Sequence, residues 1–143
     1  MADTEWTTIE EINATMNGNT QNFVFASASE QRAHIFRMND IVEKLLFVPE
    51  WKTTILLRSL SGAQRAAIMK AAVGSDGQPD IKKMYEYTVY HGCYHPQTKE
   101  RLFDFADRDA FMQKNGAVIE RIAVMLNDVS GLTQSSAIEA EKN

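Results

Sequence analysis

One cysteine, Cys93, is present. A single thiol cannot close an internal disulfide, so nothing in the chain asks for an oxidising compartment. No apolar run approaches the ~20 residues that span a bilayer. No basic stretch precedes an apolar one, as a secretory leader requires. Positive charge is short as well. The formal net charge is −4, and no run of Lys and Arg builds the basic surface that phosphate binding needs. GSDG at 74–77 lacks both the Lys and the flanking strand of a phosphate loop. No nucleophile elbow occurs, nor any internal repeat or low-complexity tract. These absences argue against a disulfide scaffold, a membrane span and a general nucleic-acid binder. They leave an intracellular protein as the expectation.

What is present is an ordinary globular composition. The chain has 143 residues, 44% of them apolar and 24% charged. That is long enough to bury a core without metal or disulfide staples.

The stretch Asp80 to Pro96, DIKKMYEYTVYHGCYHP, reads as a central helix with two apolar stripes. Ile81, Met84, Tyr85, Thr88, Val89 and Gly92 follow the spacing of one buried face. Tyr87, Tyr90, His91 and Tyr94 follow the spacing of a second. Asp80 is placed to cap its start, and Pro96 to end it. KLLFV and TTILLRSL flank a turn that contains Pro49, which predicts a β-hairpin. Leu46 and Val48 share one of its faces; Leu45 and Phe47 share the other. Both faces are apolar, so helical cover is expected on one side and more chain or a partner on the other. Ser61 and Gln64 have capping-box spacing and open an alanine-rich helix with Ala63, Ala66, Ala67, Ala71 and Ala72. Ser27 and Glu30 open a shorter one. Residues 104–115 predict a short helix with Phe111 inward. Residues 116–129 predict an amphipathic one, with Val118, Ile119, Ile122, Met125, Leu126 and Val129 on a single face. Trp6, Ile9, Ile12 and Met16 fall near one face of a weaker N-terminal pattern. The fold class is α+β: mostly helical, about five helices, with one small antiparallel β-hairpin.

The constellations of residues with chemical potential are weak. His91, Cys93 and His95 are metal-ligand types, but residues i and i+2 of a helix point about 200° apart. Only His91 and His95 could share an ion, and a closed zinc site needs four ligands. A buried cysteine between turn-forming histidines is the simpler account. A small metal-dependent regulator built on the three is kept as an alternative. Glu100, Asp104, Asp107 and Asp109 read as carboxylates at a helix start, and His34 as a solvent-facing or capping side chain. No catalytic, cofactor or metal residue is assigned. The remaining signal is surplus apolar surface, which marks assembly or partner binding.

Three stretches carry a resemblance: VPEWKTTILLRSLSGAQR at 48–65, CYHPQTKERLFDFAD at 93–107 and VMLNDVSGL at 124–132. In their order and spacing they resemble the tail assembly chaperones of tailed bacteriophages. Residues 1–39 contribute nothing to the match. The resemblance implies a non-enzymatic protein of the host cytoplasm, absent from the mature virion. It implies binding to the tape-measure protein and/or tail-tube subunits before the tube polymerises, with a homo-oligomer also compatible. It marks a chaperone-like domain, 40–132; the polar composition on either side reads as an N-terminal arm, 1–39, helical or partly disordered, and a flexible C-terminal tail, 133–143. On this reading Tyr87, Tyr90, Tyr94, Ala67 and Ala71 are the candidate partner-binding surface. The alternative is that both stripes of the helix are internal core. A structural tail or neck component that stays in the particle is the rival function.

Overall fold

The computed structural model describes residues 24–132. The N-terminal pattern around Trp6, Ile9, Ile12 and Met16 lies outside them, as do residues 133–143. Two units are distinguished by their internal packing, and the boundary falls after Asp40.

In the first unit, α1 runs Ala28–Arg37. Ser27 caps it, its hydroxyl accepting from the Glu30 N–H at 3.2 Å. At the other end the Met38 N–H donates to the carbonyls of His34 and Ile35 before the chain turns extended. The Phe25 ring stands 4.7 Å from that of His34, and the Arg32 guanidinium lies over Phe36. No residue of α1 is buried.

The second unit begins with the hairpin. Strands β1 (Glu43–Val48) and β2 (Thr53–Arg58) pair antiparallel with Leu46 opposite Ile55 and Leu45 opposite Leu56. A 3₁₀ turn over Pro49–Trp51 joins them. It closes on Lys52, which takes the left-handed conformation at φ 53° while its N–H donates to the Pro49 carbonyl. The hairpin is as the sequence predicts, but the sheet holds a third strand. β3 (Cys93–Tyr94) pairs antiparallel with β2, placing Tyr94 opposite Leu56 and Cys93 opposite Leu57. An isolated bridge then sets Arg101 against Tyr94.

Helix α2 (Gly62–Ala71) starts on a complete capping box: the Ser61 hydroxyl accepts from the Gln64 N–H, and the Gln64 side chain accepts from the Ser61 N–H. α3 (Ile81–Gly92) starts at Asp80, whose carboxylate accepts from the Lys83 N–H. α4 (Arg108–Met112) follows a 3₁₀ turn over Phe105–Asp107. α5 (Gly116–Val129) closes the unit. Gly131, at φ 71°, lets the Leu132 N–H return to the Asn127 carbonyl and ends the helix.

The core lies between one sheet face and the helices. Val48, Ile55, Leu57 and Cys93 supply the sheet side. Val89 of α3, Phe111 of α4, and Val118, Ile119, Ile122 and Leu126 of α5 supply the other. α5 packs on both β1 and β2 and on α3, and α3 packs in turn on α2. Gly92 makes the α3–α5 approach close: a Cβ there would run into the Cδ atoms of Leu126.

Two expectations for α3 are corrected. The helix stops at Gly92 and does not reach Pro96, because Cys93 and Tyr94 are drawn into the sheet. The first stripe is also shorter than its spacing predicts. Thr88, Val89 and Gly92 are buried and Tyr85 half-buried, but Ile81 and Met84 stay exposed. Glu86, outside both stripes, is buried at 5%. Its carboxylate faces Lys82 at 3.6 Å and Arg108 at 3.7 Å, which pairs the charge as burial requires.

Candidate functional site

Strand alternation gives the sheet a second face, turned away from the core. Directly opposed residues share a face, so rows can be read across the strands. One row runs Leu45, Leu56, Tyr94, Arg101; on either side lie Phe47 with Thr54 and Glu43 with Arg58. Leu45 and Phe47 are each 60% exposed, and Val42 beside them is also exposed. β1 is the edge strand of the sheet, and its outer main-chain groups have no strand partner among the described residues. Apolar side chains on an open edge are the arrangement that pairs or docks most readily.

The opposite end of this face is cationic and aromatic. The Arg101 guanidinium stands 4.6 Å from the Tyr90 ring centroid and 5.5 Å from that of Tyr94. One of its N–H groups donates to the Tyr90 carbonyl at 2.9 Å. Arg58 approaches Tyr94 as well, at 5.1 Å. Glu43 answers Arg58 at 3.2 Å and Lys99 at 2.9 Å. Among the described residues Arg101 has no carboxylate partner. Next to this cluster Tyr87 and Tyr90 pack edge-on against Phe105, at 5.6 and 5.2 Å, and Arg108 lies over the Phe105 ring.

A groove of about 790 Å³ opens beside the same sheet. Its apolar lining includes Leu45, Trp51, Ile55, Leu102, Phe103 and Phe111. The groove exists because the ladder stops. Continuing the register of β3 would put Pro96 opposite Thr54, and proline has no N–H to give. The volume falls in the range of small-ligand and side-chain pockets.

Against this geometry the sequence-predicted residues separate. Tyr87 and Tyr90 sit on α3, half-buried, with their rings in the aromatic cluster. Tyr94 leaves the helical stripe altogether. It is a strand residue at 7% exposure, and its hydroxyl donates to the His91 carbonyl. The structure nevertheless brings it back to Tyr90 through Arg101. Ala67 and Ala71 are half-buried on α2, the helix that packs on α3. Leu102 and Phe105 are exposed, while Phe103 between them packs partly buried against the core.

His91, Cys93 and His95 do not converge. Cys93 is fully buried, and burial pushes its thiol up to about 12. The His95 Nδ1 already accepts from the N–H groups of Gln97 and Thr98. His91 is held below the usual histidine range, first by burial and then by the charge of Arg101. Its Nδ1 is buried without a hydrogen-bond partner. No group of three or more His, Cys, Asp or Glu positioned for a metal exists among the described residues. No described helix is long and apolar enough to cross a membrane.

Arg101 was missed by sequence reasoning. Its neighbours Glu100 and Asp104 are charged, and nothing local singles it out. Only the non-local bridge to Tyr94 places it on the sheet face.

No protein-family model matches the chain, and no curated protein matches it by sequence. Among solved structures it is similar to one described as the structure of the bacteriophage HK97 tail assembly chaperone. The TM-score is 0.53 at 16% identity, covering 71% of this chain and 94% of that one. At this identity the likeness establishes the fold: the chain has a tail assembly chaperone-like fold.

Proposed function

We propose that this protein is a non-enzymatic phage tail assembly chaperone. It acts in the host cytoplasm and is absent from the finished virion. Its clients are the tape-measure protein and/or tail-tube subunits, whose apolar segments would aggregate before the tube encloses them. The fold likeness supplies the context. The observation that carries the reading is the outer sheet face, where Leu45 and Phe47 stand exposed on an unpaired edge strand beside an apolar groove. A folded chain that keeps such surface open has something to cover. Tyr87 and Tyr90 extend that surface from α3. Tyr94, Ala67 and Ala71 contribute from beneath, by fixing the position of Arg101 and of α3.

The open β1 edge also favours the rival role, a tail or neck component retained in the particle, since an unpaired edge is a template for ordered assembly. Quantitative mass spectrometry of infected-cell lysate against purified particles separates the two. The chaperone role expects abundance in lysate, loss from particles, and capture of the tape-measure or tube protein on the purified chain. A fixed copy number per particle would overturn it and install the structural role.

A further inference from the structure

The cationic end of the outer sheet face is built for a specific chemistry. Arg58 and Lys99 pair with one carboxylate, Glu43, while Arg101, which approaches the same Tyr94 ring as Arg58, has no carboxylate partner among the described residues. Glu100, the adjacent acidic side chain, makes no ion pair with any of the three. Arg101 is tethered although exposed: its guanidinium lies near two tyrosine rings and the Tyr90 carbonyl takes one of its N–H groups. A guanidinium has five N–H donors in a fixed fork that matches a carboxylate. A fork already tethered by such contacts loses less freedom on binding.

We infer that Arg101 is a receptor for a side-chain carboxylate of the partner, presented by an amphipathic segment whose apolar residues lie on Leu45 and Phe47. Charge complementarity selects the occupant: the face carries excess positive charge in an otherwise acidic protein. Geometry sets the spacing. Leu45 and Arg101 stand three strand spacings apart, roughly 14 Å, which is about nine residues along a helix. The inference rests on the proposed role for the idea that partner segments dock here, and it adds which segments qualify.

The test uses the full chain and a helix-forming peptide with a leucine cluster and a glutamate about nine residues away. The control peptide carries glutamine in place of that glutamate. The glutamate peptide is expected to bind about tenfold tighter than the control, with its advantage removed at about 1 M salt. Arg101→Gln should erase the preference, and Arg101→Lys should keep only part of it. Glu43→Gln should increase it, because the cluster then carries more uncompensated charge. A purely structural role for Arg101 would not move the two variants in opposite directions. Equal binding of both peptides to the wild type, or the same preference in Arg101→Gln with its fold intact by circular dichroism, would overturn the inference. Capture of the tape-measure protein is scored separately. If capture holds and the acidic preference is absent, this inference alone fails. If capture fails and the preference holds, the assembly role fails alone.

Discussion

At the scale of single residues, Cys93 shows how position decides chemistry. Its place between two histidines invites a metal or nucleophile reading, and its backbone settles the matter. As a strand residue opposite Leu57 it points into the core, packed within the cluster that holds Val89 and Leu126. Burial disfavours the thiolate and pushes the thiol up to about 12, so the reactive species is scarce near neutral pH. The native protein is therefore expected to resist iodoacetamide and to be alkylated at Cys93 only when denaturant unfolds it. Mass spectrometry of the labelled protein reads this directly; prompt labelling of the folded chain would contradict it. Arg101 is the complementary case. Nothing in its local sequence distinguishes it from Arg108 or Lys99. Yet a bridge to Tyr94 and two aromatic rings turn it into an oriented cation.

At the scale of elements, close approach and charge each carry a prediction. Gly92 is the last residue of α3, so replacing it gains little helix propensity, while an added Cβ meets the Leu126 side chain. Gly92→Ala should destabilise by about 1–3 kcal/mol through overpacking. Leu126→Ala should cost about 2–5 kcal/mol through the cavity it leaves. Together they should cost less than the sum, because the new methyl enters the space vacated by Leu126. Urea midpoints of the two single variants and the double variant decide it; strict additivity would mean that the two sites do not touch. The hairpin turn is tied to α5 differently. Both Glu50 oxygens accept from Arg121, at 2.9 and 2.6 Å. Hydrogen bonding from Arg121 holds the Glu50 carboxyl down at about 2 from an ordinary 4.5. A depressed carboxyl contributes stability that is complete above its unfolded value and is lost as pH falls through the folded one. The tie should thus weaken between about pH 4.5 and pH 2, and Glu50→Gln should flatten that part of the stability profile. Identical acid limbs for the two proteins would sink the assignment. Local pattern made much of this level legible: the capping box at Ser61, the Pro49 turn, the Asp80 cap and the apolar face of α5 all rest on neighbours within four residues. β3 was not legible, because Tyr94, which continues a helical stripe, and Cys93 beside it were captured by a strand nearly forty positions earlier. The exposure of Ile81 and Met84 was hidden for a related reason. Periodicity names a face, and only the partners of α3 decide how far along the helix that face is covered.

At the scale of the whole molecule, the sheet works as a divider. Its inner face joins the helices in the core, and its outer face is left with an apolar end and a cationic end. The sequence exposed this division in part. Two apolar faces on one hairpin demanded two coverings: the core helices cover the inner face, whereas on the outer face Leu56 and Tyr94 are buried and Leu45 and Phe47 are left exposed. What the pattern hid was the width of the outer face, since β3 and Arg101 join it from far along the chain. Leu45 and Phe47 test its purpose, because both are 60% exposed and neither belongs to the buried core. Replacing both with Ser removes apolar area that mostly faces water, so stability should change by no more than about 0.5 kcal/mol per site. The doubly substituted protein should keep the wild-type urea midpoint and circular dichroism spectrum. Its capture of the tape-measure or tube protein should fall by about tenfold or more, because apolar anchors of this size carry a large share of an interface. The paired readout separates the two physical accounts of the surface. Loss of fold with loss of capture would return Leu45 and Phe47 to the core. Retained fold with full capture would show that clients dock elsewhere, on the Tyr87–Phe105 cluster or in the groove behind Pro96. Retained fold with lost capture is the outcome expected of a face left open for another chain.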